Sequence, residues 1–206
     1  MILTGRFTKL RPLVLEDAQT TLCWRLSSRA RFLQRGAETV EKQRDWIASA
    51  IVRREELNFV IEYMTEAVGM IALTDINRAH KTAVMGRELI GEVERTGQAP
   101  VAFEAELLIC DYVFDTLGFH KIWGDVMEDN TSMLLARRYL GYKEDGLLRD
   151  HYLFDDCYKN TVVFSLLEDE YRATCRPKLV QLIDLFSRYS VSPSAEIPIS
   201  KSLASR

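Results

Sequence analysis

The chain has 206 residues, a formal net charge of −3, 47% hydrophobic residues and 28% charged residues. That length holds one domain with a proper core, and the composition is that of an ordinary globular protein. The acidic balance argues against a general nucleic-acid binder, which carries a basic excess.

No apolar run is long enough to span a bilayer. The opening Met1–Arg6 lacks the basic, apolar and small-residue succession of a secretory signal, so a cytoplasmic protein with no membrane partner is expected. Cys23, Cys110, Cys157 and Cys175 lie far apart without a CxxC pair, which predicts buried free thiols rather than zinc or disulfides. The three histidines make no metal motif.

In chain order, residues 6–13 read as a strand and a helix opens near Glu16 and Asp17, carrying Leu22, Trp24 and Leu26. A second helix, capped by Thr39, runs to about Arg54 with Val40, Trp46, Ile47, Ala50 and Ile51 on one face. Residues 58–64 and 68–76 form a hairpin across Thr65 and Glu66. Residues 83–92 return as another strand interrupted by Gly86 and Gly91, glycines that mark a bulge or a close backbone approach.

A loop of phosphate-binding size, Arg95-Thr96-Gly97-Gln98-Ala99-Pro100, leads into a largely buried helix over residues 101–117. Glu104, Asp111 and Asp115 are its polar stripe. A central strand follows over residues 121–127, then a helix opening at Asp129-Asn130-Thr131 and stopping before Gly141. Residues 147–154 and 158–167 make a last hairpin. From Pro177 an amphipathic helix carries Leu179, Leu182, Ile183 and Phe186, and from Ser187 the tail reads as disordered. The domain is therefore placed at residues 1–172, with a helix and tail at 173–206. The order is mixed α/β, and the strand-helix-strand crossover over residues 83–127 implies parallel pairing with right-handed connection.

Several strings together resemble the GNAT superfamily of acetyl-CoA-dependent N-acetyltransferases. Leu10-Arg11-Pro12-Leu13 with Glu16-Asp17-Ala18 looks like the branch that includes ribosomal-protein N-terminal acetyltransferases. Asp129-Asn130 with Gly141-Tyr142 looks like the superfamily's usual acidic-Asn…Gly-Phe helix, and Asp145-Gly146-Leu147-Leu148-Arg149-Asp150-His151 is similar to the penultimate strand of that branch. Trp24-Arg25, Thr74-Asp75-Ile76 and Ile90-Gly91-Glu92 look like a subgroup that acylates nucleotide-linked amino sugars, as in pseudaminic acid synthesis.

The resemblance implies a GNAT fold, with a mixed sheet of about seven strands, flanking helices and the added C-terminal helix. It also implies acetyl-CoA, or another short acyl-CoA, as cofactor and direct transfer to a small-molecule primary amine. Two positions depart from the family pattern. The loop keeps only Gly97 and has Pro100 where a small flexible residue is usual, and Arg137 stands where many members carry a thiolate-protonating Tyr.

The chemistry needs a base for the amine, a donor for the oxyanion and an anion cradle. Glu92 is the first candidate base and Glu88 the second, each otherwise a strand-end charge. A backbone N–H near Ile90 and Gly91 would meet the oxyanion. The amides of Gly97 to Ala102, among them those of Gln98, Ala99 and Val101, with Arg95 and Thr96 beside them, would cradle the pyrophosphate at a helix start. Asn130 either caps its helix or touches the cofactor. Arg137 either pairs with a cofactor phosphate or sits on the helix surface.

Trp24 and Arg25 would line an acceptor pocket, the Trp otherwise being core, with Asp75 and His151 as further substrate contacts. Rival readings are a protein N-terminal acetyltransferase with an open groove and a non-catalytic GNAT-fold binding protein. A homodimer is compatible with the apolar stripe of the last helix.

Overall fold

The computed structural model describes residues 1–154 and 156–190 of the chain. Eight strands form one sheet: β1 (Leu3–Thr4), β2 (Thr8–Pro12), β3 (Leu57–Tyr63), β4 (Glu66–Asn77), β5 (Thr82–Ile90), β6 (Lys121–Met127), β7 (Lys143–Phe154) and β8 (Cys157–Leu167). They lie in the order β1-β2-β3-β4-β5-β6-β8-β7. All neighbours are antiparallel except β5 and β6, which run parallel as the crossover requires. The β8 strand sits inside the sheet, between β6 and β7, which accounts for its apolar run.

Alternation along the strands feeds two cores. Phe59, Ile61, Ile71 and Leu73 face helices α4 (Val101–Asp111), α5 (Thr131–Leu140) and α7 (Arg176–Ser190). Val60, Met70 and Leu89 face α1 (Ala18–Leu26) and α2 (Val40–Ala50) with Trp24 and Ile47. Period-two burial on both faces is what a central strand covered by helices needs.

The expected elements are present with shifted bounds and an added edge strand, β1. A four-residue helix α3 (Val93–Thr96) precedes the loop, and α4 continues as a wider turn over Tyr112–Thr116. Thr39 caps α2 by accepting from the Lys42 N–H. β7 starts at Lys143 because Gly141, at φ +98°, ends α5 in a left-handed turn and releases the chain straight into the strand.

The short α6 (Glu168–Glu170) and a wide turn over Tyr171–Cys175 lead into α7, which is built into the core. Leu179 is fully buried, Phe186 meets Phe7 edge-on at 5.3 Å, and Asp184 pairs with Arg6 at 3.0 Å. The helix runs to Ser190, past the Ser187 at which disorder was expected, and the rest of that expected tail lies outside the described residues.

Cys110 and Cys175 are buried free thiols, while Cys23 and Cys157 are exposed. Among the described residues no acidic, His or Cys cluster suits a metal ion. No described helix is long and apolar enough to cross a membrane.

Candidate active site

The sheet opens where β5 and β6 part. Their parallel pairing covers only Thr82–Val84 against Lys121–Trp123, although both strands continue. A cleft of 950 Å³ fills the wedge, lined among others by Arg25, Asp75, Glu88, Asn130, Arg137 and His151.

On the other side of β5 a bulge sets Arg87 and Glu88 opposite the single Ile71, with Arg87 at φ +54°. A bulge bends its strand and redirects the side chains beside it. Here it turns Glu88 into the wedge. Gly86 immediately precedes the bulge, as the glycine signal in the sequence implied.

Glu88 is 11% exposed and stands 3.3 Å from Nη2 of Arg137. Burial pushes its carboxyl up to about 7, with Glu106 adding to the rise and Arg137 opposing it. The surface reading of Arg137 is corrected. The side chain is buried and bound by Glu106 at 2.5 Å as well as by Glu88, which commits its guanidinium to two carboxylates. Burial works against its charge, yet Glu106, Tyr142 and Glu88 outweigh that and keep it a cation.

Glu106 also accepts the Tyr142 hydroxyl at 2.6 Å. The sequence reading missed Glu106. Its spacing to Ile109, Cys110 and Val113 puts it on the buried stripe of its helix, just as Leu134 and Leu140 frame Arg137.

Glu92 stands outside this group. It is the residue before α3, and its carboxylate accepts from Trp24 Nε1 at 2.8 Å and faces Arg95 at 3.6 Å. Trp24 is buried in the core beneath β5 rather than lining the cleft, because Gly91 has no side chain. A Cβ at Gly91 would stand 2.1 Å from the indole. The Gly91 and Glu92 amides both donate to Val68 O, so neither is free for an oxyanion. Ile90 differs: its C=O accepts from Arg29 at 2.8 Å, away from β4. An extended residue turns both backbone polar groups to one side, so the Ile90 N–H faces the wedge.

The loop leading into α4 uses part of its own donor set. Gly97 N–H binds Val93 O, Ala99 N–H binds Thr96 O and Val101 N–H binds Ala99 O, which leaves the Thr96 side chain buried beneath. Arg95 points away to Glu66 at 2.6 Å. Ala102 and Phe103 lie in the first turn, where N–H groups have no intrahelical acceptor, and Pro100 gives no side-chain cap. A second cavity of 480 Å³ lies over this turn, between Arg29, Gln98, Ala102 and the α7 residues Leu182, Leu185 and Phe186. Uncapped N–H groups at a helix start beside an arginine suit a phosphate. The donors that fit it are therefore Gln98, Ala102 and Phe103 with Arg29, a narrower and shifted set relative to the sequence expectation.

Asn130 caps α5 by accepting from Met133 N–H at 3.4 Å and also borders the cleft. Asp75, at φ +47°, and the exposed His151 lie on its rim. Arg25 also lines the cleft, with its guanidinium bound to the Gln34 carbonyl. Burial first, then the charge of Arg87, depresses its proton affinity. Arg87 is fixed by Glu56 and Asn58 at 2.9 Å each and lies over the Trp46 ring.

Residues 8–143 match the acetyltransferase (GNAT) domain. Among curated proteins, the chain is 27% identical over 167 residues to the spermidine N(1)-acetyltransferase of Escherichia coli K12, covering 80% of this chain and 88% of that one. It is 27% identical over 176 residues to the uncharacterized N-acetyltransferase p20 of Bacillus licheniformis, covering 82% and 96%. Among solved structures it resembles a GCN5-related N-acetyltransferase from Brucella melitensis with a TM-score of 0.75, at 23% identity over 88% of this chain and 84% of that one. A spermidine N-acetyltransferase chimera from Vibrio cholerae and hSSAT gives a TM-score of 0.73 at 22% identity, over 82% and 99%. The last two likenesses speak to the fold.

Proposed function

Because this chain belongs to the GNAT acetyltransferase family and is an acyl-CoA-dependent N-acetyltransferase, we propose that its acceptor is a primary amine on a small molecule that also carries phosphate, such as a nucleotide-linked amino sugar. The observation that carries this reading is the arginine-rich acceptor end. Arg25, Arg35 and Arg87 line the cleft, away from the cavity that Arg29 shares with the α4 turn, against the acids Asp75, Glu88 and Asp125. Burial first, and then the nearby charge of Arg87, disfavours the charge of Arg25. Two guanidiniums held that way by their neighbours are relieved by an anion, and the planar fork suits a diphosphate. A polyamine placed there would add cation to cation.

Acetyl-CoA, the general donor of the family, supplies when bound a thioester whose acyl carbon the amine attacks. The residues that fit its pyrophosphate are Gln98, Ala102 and Phe103 through their backbone N–H groups, with Arg29 beside them. The Ile90 N–H, on the side of β5 that faces the wedge, would meet the acyl oxygen as it gains charge. Glu88 takes the proton that the ammonium of the acceptor must shed. A carboxyl balanced near pH 7 suits that work, whereas Glu92 is held by Trp24 and Arg95. A second proton leaves the nitrogen after it has attacked and matches the one the departing thiolate takes up, so the products are amide and thiol, with the first proton passing from Glu88 to solvent.

The test is a thiol-release assay with a UDP-linked or dTDP-linked 4-amino sugar beside spermidine, the substrate named for the relatives. Turnover of the sugar nucleotide is expected, with KM raised about tenfold or more by Arg25→Gln through loss of a charge-assisted contact. Efficient acetylation of spermidine, left unchanged by Arg25→Gln, would overturn the reading in favour of a polyamine acceptor.

A further inference from the structure

Glu106 touches neither cavity, yet it holds the far side of the one cation that faces Glu88. Nη1 of Arg137 lies 2.5 Å from Glu106 and Nη2 lies 3.3 Å from Glu88, so a single guanidinium bridges two carboxylates. The closer contact is with the acid behind the site. We propose that Glu106 is a positioning residue for the transfer, engaging Arg137 and thereby deciding how much of that cation the Glu88 carboxylate feels. The proposal rests on Glu88 being the base.

The surroundings support a tuning role over simple packing. Glu106 lies on α4 and is 3% exposed, and Arg137 lies on α5 and is 7% exposed. The charged and titratable groups facing this cluster are few. From α4 come Glu106 and Cys110, from β5 Glu88, and from the segment after α5 Tyr142, with Cys175 from the turn before α7. Burial holds both thiols and the Tyr142 phenol in their neutral forms, so the charge balance at Glu88 is set by Arg137 and Glu106. Tyr142, donating to the same Glu106 oxygen that Arg137 reaches, fixes that carboxylate in place. Packing alone would be served by apolar residues at these two positions.

The signs are opposite for two variants, which makes the proposal testable. In Glu106→Gln the cation is left to Glu88 alone, so Glu88 ionises at lower pH. In the double variant Glu106→Gln with Arg137→Met both charges go together, which spares the core an unpaired ion and leaves Glu88 to burial, so it ionises at higher pH.

The first readout is a ¹³C NMR titration of labelled glutamate carboxyls in the full chain without ligand, with the Glu88 signal assigned by its loss in Glu88→Gln. The midpoint should fall by about one pH unit in Glu106→Gln and rise by a similar amount in the double variant. The acid limb of the kcat/KM profile should move in the same two directions. Midpoints that coincide in all three proteins would overturn the proposal. An unaltered rate in Glu88→Gln would instead overturn the assignment of the base, whatever Glu106 does to the titration.

Discussion

Replacing Glu88 by Gln should flatten the pH dependence of stability, and the size follows from the carboxyl itself. Its pKa in the fold is about 7 against an ordinary 4.5, at a side chain only 11% exposed. A carboxyl raised by folding favours the folded state in its protonated form. That advantage is whole below pH 4.5 and is lost as pH climbs through 7. Keeping the ionised group in the fold then costs about 0.8 kcal/mol at pH 5 and about 3.3 kcal/mol at pH 8, a difference of about 2.5 kcal/mol.

Glutamine has no such titration, and its altered contact with Arg137 shifts both pH values alike. Urea unfolding of both proteins at pH 5 and pH 8 measures it. Stability of the variant relative to wild type should rise by about 2.5 kcal/mol between the two pH values. A gap between the proteins that stays constant across that range would refute the raised carboxyl and, with it, the reason for choosing Glu88 over Glu92.

Glu104→Ala should cost about 3–5 kcal/mol in the same assay. Its carboxylate accepts the N–H groups of Arg6, Phe7 and Thr8 at 2.6, 2.9 and 2.7 Å, and the last is left buried without a partner. Gly91→Ala drives a methyl into Trp24, so calorimetry should show acetyl-CoA affinity down by an order of magnitude as Ile90 is displaced, with wild-type affinity as the contrary result. Gln98→Glu sets a negative charge beside the uncapped turn. Its acetyl-CoA affinity should fall about tenfold at low salt and recover partly as salt is added, whereas no change would move the phosphate site elsewhere.

The strand and helix periods were legible in the residues, as were the cap at Thr39, the cap as one of two readings at Asn130, and the helix stop before Gly141. Local chemistry determines these, so local reading finds them. The pairing of Arg137 with Glu106 was not legible, because their positions are about 30 residues apart and only tertiary packing brings α4 against α5. The stripe Leu134, Arg137, Leu140 carried the hint that a charge on an apolar face must have a buried counter-charge. Trp24 illustrates a different limit. A tryptophan before an arginine suits a ligand pocket or a core equally, and the choice depended on Gly91, distant in the chain, making room for the ring.

The turn that opens α4 is built without a lid of its own. Most helices close their amino end with a side chain, and an acid in the first turn commonly softens the charge there. Here the residue before the helix is a proline, and Glu104, the one acid in that turn, faces the other way to hold the strand connection at the amino end of the chain. The field of the helix start is therefore left for an incoming anion. A phosphate arriving there would accept from the amides that the formed turn leaves without an intrahelical partner. Amide exchange at Ala102 and Phe103 should slow more than anywhere else in α4 when the donor binds.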